Sequence, residues 1–169
     1  MRAMFNGELE RLGVELAAMC GLAADAMEKA TRALLRCDLV LADQVITDDE
    51  QLDAARVRCE EHAFVLLSLQ APVARDLRLV VSAIHAAEKI ERMGDLARHV
   101  AELTRRRHPA CAVPEDLAAR FGEMARLAVA SARRVQDIIA APTEEHFTEQ
   151  DAADDRICLL YTSPSPRDS

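Results

Sequence analysis

Apolar side chains recur at Leu9, Leu12, Leu16, Met19, Ala23, Met27, Ala30 and Leu34, in alternating steps of three and four. That spacing keeps them on one stripe and predicts a single long helix over 9–34. Cys37-Asp38 interrupts it. Asp38 has the side-chain oxygen to cap a short helix through Val45, and Thr47 or Asp48 then caps a longer helix to about Gln70. Pro72 ends this second arm, because the residue before a proline is pushed out of the helical region, and a third helix is predicted over about Val73 to His108. At about 1.5 Å per residue, each arm is roughly 35–50 Å long.

Long amphipathic helices with short connections must lie antiparallel, since a short connection leaves no chain for a crossover. The expected fold class is therefore all-α, with an antiparallel three-helix bundle over about 6–108 in a first unit of 1–108. Residues 109–114, Pro109-Ala110-Cys111-Ala112-Val113-Pro114, read as a linker. Pro114-Glu115-Asp116 opens a fourth helix to about Ile139, and Ala141-Pro142-Thr143 turns into a fifth. Two acid-rich stretches each carry carboxylates at i, i+4, Asp49 with Asp53 and Asp151 with Asp155. They lie about a hundred residues apart, which reads as an internal repeat and makes 115–157 the start of a second, incomplete three-helix unit, ~50–60 residues short of the first. The final stretch 158–169, beginning Cys158-Leu159-Leu160-Tyr161-Thr162, resembles a translated transposase adapter from sequencing-library preparation. It is expected to break the helical pattern and is set aside as a non-native tail that cuts the chain short.

Composition supports the helical reading: there is no Trp, one Tyr and four Phe in 169 residues, while Ala, Leu, Arg and Glu abound, residues that lose little rotamer freedom in a helix. A chain half apolar and 30% charged has enough hydrophobic surface for a packed core. The net charge of −8 argues against binding nucleic acid, which calls for a basic stripe. The basic run Arg105-Arg106-Arg107-His108 reads as a helix C-terminus, where cations suit the dipole. No apolar run reaches the ~18 residues of a membrane span, and Glu8, Glu10 and Arg11 stand where a signal peptide would be apolar, so a cytoplasmic location is expected. Cys20, Cys37, Cys59, Cys111 and Cys158 show no C-x-x-C spacing and are expected to be reduced and mostly packing residues.

The strongest candidate chemistry lies on the third helix, in Glu88-Lys89-Ile90-Glu91-Arg92-Met93-Gly94-Asp95. At about 100° per residue, Glu88, Glu91 and Asp95 fall near one line, the line of Leu77 and Ile84 further up the helix, so carboxylates take over a stripe expected to begin as core. Folding the second helix back on the third about Pro72 brings residues equidistant from the turn face to face, so Asp49 meets Asp95 and Asp53 meets Glu91. Such a cluster repels itself and either raises its pKa values or draws in a cation. An all-oxygen donor set suits hard or borderline ions such as magnesium, manganese, calcium or iron. The same acids would also serve as a solvated face with Arg56 and Arg92 as ion-pair partners. Gly94 favours a site, because a mid-helix glycine costs ~1 kcal/mol against alanine and calls for a reason such as close helix approach. The five histidines, His62, His85, His99, His108 and His146, are expected at the surface or at helix ends, with His99, one turn beyond Asp95, the one to watch.

Gln70-Ala71-Pro72-Val73-Ala74-Arg75-Asp76-Leu77-Arg78, followed by Glu91-Arg92-Met93-Gly94-Asp95, resembles the signature of the PhoU family, in which a Q-x-P-V-A-x-D-L-R segment precedes an E-R-x-G-D segment on the next helix. The resemblance covers residues from about 5 to 157. It implies two pseudo-symmetric three-helix bundles that bind metal clusters through acidic motifs. The family's metal motif maps onto Glu91 and Asp95, with Asp49 and Asp53 at the acidic partner positions and Glu88 and Arg92 beside them. A divalent or trivalent ion is implied: iron, zinc, manganese or magnesium. The resemblance further implies a cytoplasmic, non-enzymatic negative regulator of phosphate uptake and phosphate-starvation signalling, acting as a homodimer. Its partners would be a sensor histidine kinase and the ATP-binding subunit of a phosphate ABC transporter. Arg75, Asp76 and Arg78, at the start of the third helix, read either as residues that cap and pair locally or as a partner contact.

Two other readings stand beside this one. A metal-dependent phosphoester hydrolase would use a carboxylate-held ion to activate water, although no glycine-rich phosphate loop, G-x-S-x-G or H-E-x-x-H occurs. A structural helical oligomerisation module would need none of the acids.

Overall fold

A computed structural model describes residues 2–70 and 72–162. Ala71 of the anticipated turn and residues 163–169 of the anticipated tail lie outside the described residues. The described chain forms five α-helices: α1 (Arg2–Arg36), α2 (Leu39–Gln70), α3 (Ala74–Arg107), α4 (Glu115–Ala140) and α5 (Glu144–Thr162). The all-α class read from the apolar spacing is the class observed.

The α1 stripe is the wall of the core. Leu12, Leu16, Met19, Ala23, Ala30 and Leu34 are buried, and Leu9 and Met27 pack at its edge. Cys59, Ala63 and Leu66 of α2 and Val80, Ala83, Ala87 and Ile90 of α3 close over it. A second cluster, Ala33, Ala42, Val45, Ala97 and Ala101, fills the opposite end. Each fully buried Leu, Met or Val contributes roughly 1.5–3 kcal/mol. On α3 the buried seam is Val80, Ala83, Ala87, Ile90, Gly94, Ala97, Ala101 and Thr104. This corrects the expectation that Leu77 begins the core line: Leu77 is 41% exposed, because the seam runs about 100° around the helix from it.

α1 ends in a left-handed residue, Cys37 with φ 55°, followed by an Asp38 amide that donates to the Ala33 carbonyl at 3.0 Å. This is the bonding of a Schellman cap. Asp38 then caps α2, accepting from the Leu41 amide at 3.0 Å, as its side chain foretold. The helix break expected after Val45 is absent, and α2 runs unbroken from Leu39. Thr47 donates to the Asp43 carbonyl at 3.0 Å, the pattern of a mid-helix threonine. Asp48 pairs with Lys29 of α1 at 2.9 Å, so neither residue is spent on a cap.

α1 packs on α2, α3 and α4; α2 packs on α3; α5 packs on α4. The linker segment 109–114 carries the chain from the end of α3 to α4, and Cys111 in it is disulfide-bonded to Cys37, with the Cα atoms 5.3 Å apart. That corrects the expectation of reduced cysteines for this pair. Cys20 and Cys59 are buried packing residues as anticipated, and burial pushes both thiols up to about 11. α5 opens at Thr143, whose hydroxyl accepts from the His146 amide at 3.2 Å. It continues through Cys158 to Thr162, beyond the break expected at 158, because Cys-Leu-Leu-Tyr-Thr holds neither glycine nor proline. Among the described residues, no helix is long and apolar enough to cross a membrane.

Candidate functional site: an acidic seam between α2 and α3

The hairpin hinged at Pro72 brings α2 close against α3 at Gly94. This glycine is buried, and a Cβ on it would lie 2.2 Å from Leu52 Cδ2 and 3.7 Å from Asp49 Oδ1. The missing side chain is what admits Asp49 and Leu52 to the face of α3, the close approach that a mid-helix glycine had suggested.

Arg98 sits at this level and gathers acids from both helices. Its Nε donates to Asp49 Oδ2 at 2.8 Å and its Nη1 to Glu102 Oε1 at 2.5 Å, while Nη2 donates to Asp95 Oδ1. Arg92 Nη1 donates to the other Asp95 oxygen, and His99 Nε2 stands 3.6 Å from Asp95 Oδ1. The side chains of Asp49 and Asp95 are only 15% and 16% exposed. Asp53 is exposed and Glu91 half-buried on the neighbouring turns. Arg56 pairs with Glu60 at 2.7 Å, and its charge also reaches Glu91 and Asp53.

The electrostatics divide the cluster. Burial, and then the charge of Asp53, push Asp49 above the ordinary carboxylate range, and Arg98 only partly offsets them. Burial and Asp53 likewise push Glu91 up. Burial also acts to raise Asp95, but hydrogen bonding from Arg98, with the charges of His99, Arg98 and Arg92, outweighs it and holds Asp95 low. Asp49 is thus set against Asp95, and Asp53 against Glu91, by mutual charge as the hairpin register predicts. Among the described residues, no three His, Cys, Asp or Glu side chains stand in an arrangement that would itself hold a metal ion.

The remaining sequence candidates are more open. Glu88 is exposed, 3.9 Å from His85, and Arg92 is exposed beside Asp95. Arg75, Asp76 and Arg78 lie on the first turns of α3, Arg75 and Arg78 exposed and Asp76 half-buried, with Val73 and Leu77 exposed around them. Two residues escaped the sequence reading. Arg98 was legible as the residue three after Asp95 and four before Glu102, one face of a helix. His62, expected at the surface, instead has a side chain only 15% exposed, Nε2 2.9 Å from Glu8 and Nδ1 3.1 Å from Glu15; its hydrogen bond holds Glu8 below the ordinary range. Glu8 and Glu15 lie seven apart at the edge of the α1 stripe, and that spacing is the available signal.

Fold and cluster together define an antiparallel helical-bundle protein with an acidic seam between its second and third helices. A family model described as the PhoU domain matches residues 16–104. The phosphate-specific transport system accessory protein PhoU homolog 2 of Mycobacterium tuberculosis is 49% identical, over 96% of this chain and 78% of its own length. PhoU homolog 1 of Mycobacterium leprae is 48% identical, over 95% of this chain and 72% of its own. The crystal structure of the phosphate transport system regulatory protein PhoU from Streptococcus pneumoniae superposes with a TM-score of 0.80 at 23% identity, covering 93% of this chain and 73% of that one; it supports the fold. The chain belongs to the PhoU family.

Proposed function

We propose that this protein is a cytoplasmic regulator of phosphate uptake and phosphate-starvation signalling. It couples the ATP-binding subunit of a phosphate ABC transporter to a sensor histidine kinase and damps the starvation response when phosphate is plentiful. Membership in the PhoU family, together with relatives named as accessory proteins of phosphate-specific transport, supports the role. The protein works by binding rather than by turnover. The surface turn of Arg75, Asp76 and Arg78, flanked by exposed Val73 and Leu77, is where partners dock. Exposed Phe121 and Phe147 on α4 and α5 are where two copies associate.

Asp49, Asp53, Glu91 and Asp95 hold a divalent or trivalent cation in this reading, drawn from iron, zinc, manganese or magnesium. One observation carries it: a hairpin sets Asp49 against Asp95 across a glycine, with a guanidinium standing where a cation belongs. An all-oxygen donor set suits such an ion chemically, and the acids would have to close around it, because among the described residues no three stand in a ligating arrangement. When bound, it would cross-link α2 to α3 and neutralise the seam.

The test uses a starvation-response reporter in phosphate-replete cells that lack their own family member. The chain should restore repression, and Arg75→Glu with Arg78→Glu should abolish it while leaving the fold intact. A reporter indifferent to the chain would overturn the regulatory role. Elemental analysis addresses the cation: bound metal lost in Asp95→Ala supports it, and none in the parent chain overturns it.

A further inference from the structure

Cys37 occupies a backbone position that favours glycine. Its φ of 55° lies in the left-handed region, where a Cβ crowds the following carbonyl, and the residue after a helix in a Schellman cap is usually glycine for that reason. The side chain that stands there instead bonds Cys111 in the linker, with Cα atoms 5.3 Å apart, an ordinary span for a disulfide. The bond lies at the surface, Cys111 exposed and Cys37 half-buried. Cys20 and Cys59 are different: both are buried, and their thiols, pushed up to about 11, stay protonated and inert. What the Cys37–Cys111 bond fastens is the start of α4. That helix begins at Glu115 and seats on the end of α1, where a Cβ on Gly122 would touch Leu35 at 3.5 Å.

We propose that Cys37–Cys111 is a thiol-exchange latch, opened by low-molecular-weight thiols and closed by their disulfides, that fastens the linker and the start of α4 to the end of α1. The inference rests on the cytoplasmic location proposed above, a compartment in which disulfides are typically transient and redox-sensing. A thiolate attacks the exposed Cys111 sulfur to form a mixed disulfide, and Cys37 leaves as a thiolate that takes up the proton the attacking thiol gave. A second small thiol attacks the mixed disulfide in the same way. Cys111 is released as a thiol and the two small thiols as their disulfide, so two electrons enter the protein. Opening leaves Cys37 in its left-handed turn without the bond that offset the crowding there. The cap of α1 and the linker therefore loosen together.

The purified full chain in glutathione buffers tests this, with alkylated cysteines mapped by peptide mass and trypsin cleavage followed in parallel. Reduced glutathione should make Cys37 and Cys111 open to alkylation in the folded chain, and oxidised glutathione should restore their bond with no adduct left on either residue. Trypsin should cut at the run Arg105-Arg106-Arg107, exposed at the end of α3, severalfold faster in the open chain, and at that faster rate in Cys111→Ser whatever the buffer. Cys37→Gly should melt higher than the parent in reduced glutathione and lower in oxidised glutathione. A bond that reduced glutathione opens only in the unfolded chain, or equal cleavage of the open and closed chains, would overturn the latch and leave the regulatory role standing. A chain recovered outside the cytoplasmic fraction of cells would overturn the location instead, while glutathione exchange in the purified chain stood.

Discussion

Gly94 bears two opposing demands. Alanine there would gain up to about 1 kcal/mol of helix propensity, but the added carbon would meet Leu52, itself 3% exposed, at an overpacking cost of about 1–3 kcal/mol. Gly94→Ala should therefore show a net loss of stability in urea unfolding, and Gly94→Val a larger one. The acids beside it respond to pH in opposite senses. Asp49 and Glu91 are raised in the folded chain, so folding takes up protons between their unfolded and folded pKa values. Their ionisation makes the fold less stable as pH rises through that window. Asp95 is lowered, and its contribution is present above the unfolded value near 3.8 and fades as pH falls through the folded one. In metal-free protein at pH 7, Glu91→Gln should raise the melting temperature and Asp95→Asn should lower it. The Glu91→Gln difference should vanish when melting is repeated at pH 3, where that carboxyl is protonated in both states, and the Asp95→Asn difference should shrink as pH falls below 3.8.

Helices were the readable objects. The three-four spacing of α1 named its buried face residue by residue, since a helix touching three neighbours needs one unbroken apolar stripe. Pro72 marked the hairpin, and Asp38 and Thr143 marked starts that their side chains then make. Thr47 and Asp48 misled because the same residue types that cap helices also bond back within them or reach a neighbour; only Lys29 on α1 decides which. The pairing of Asp49 with Asp95 is legible from hairpin register, whereas the spacing that marks Arg98 beside Asp95 and Glu102 within α3 says nothing of its reach across to Asp49 on α2. His62 belongs to the same class, an α2 residue tying α1 through two carboxylates. His62→Ala should lower the melting temperature by several degrees, and His85→Ala, exposed on α3, should leave it unchanged. The Cys37–Cys111 link closes a loop over a sequence separation of 74. Cutting it in a Cys37→Ser, Cys111→Ser chain should cost about 4 kcal/mol by loop entropy; the unfolding midpoint with and without a dithiol reductant measures it.

At the scale of the molecule, α4 belongs to the core as much as to its own unit. Val135 and Ile139 pack against the cluster built from α1, α2 and α3, and Arg133 of α4 pairs with Asp25 of α1. Pro114-Glu115-Asp116 marks where α4 begins but not which surface it covers, because periodicity reports the width of an apolar face and not its partner. Ile139→Ala should cost roughly 2 kcal/mol and shift the entire unfolding curve, read by circular dichroism; a separate early transition confined to part of the signal would contradict a shared core. The arrangement makes α1 an axle. One rod carries both arms of the acidic hairpin and α4, so the two share a single support. Substitutions that strip α1 of its apolar stripe would therefore loosen α4 and the Asp49–Asp95 seam in one step.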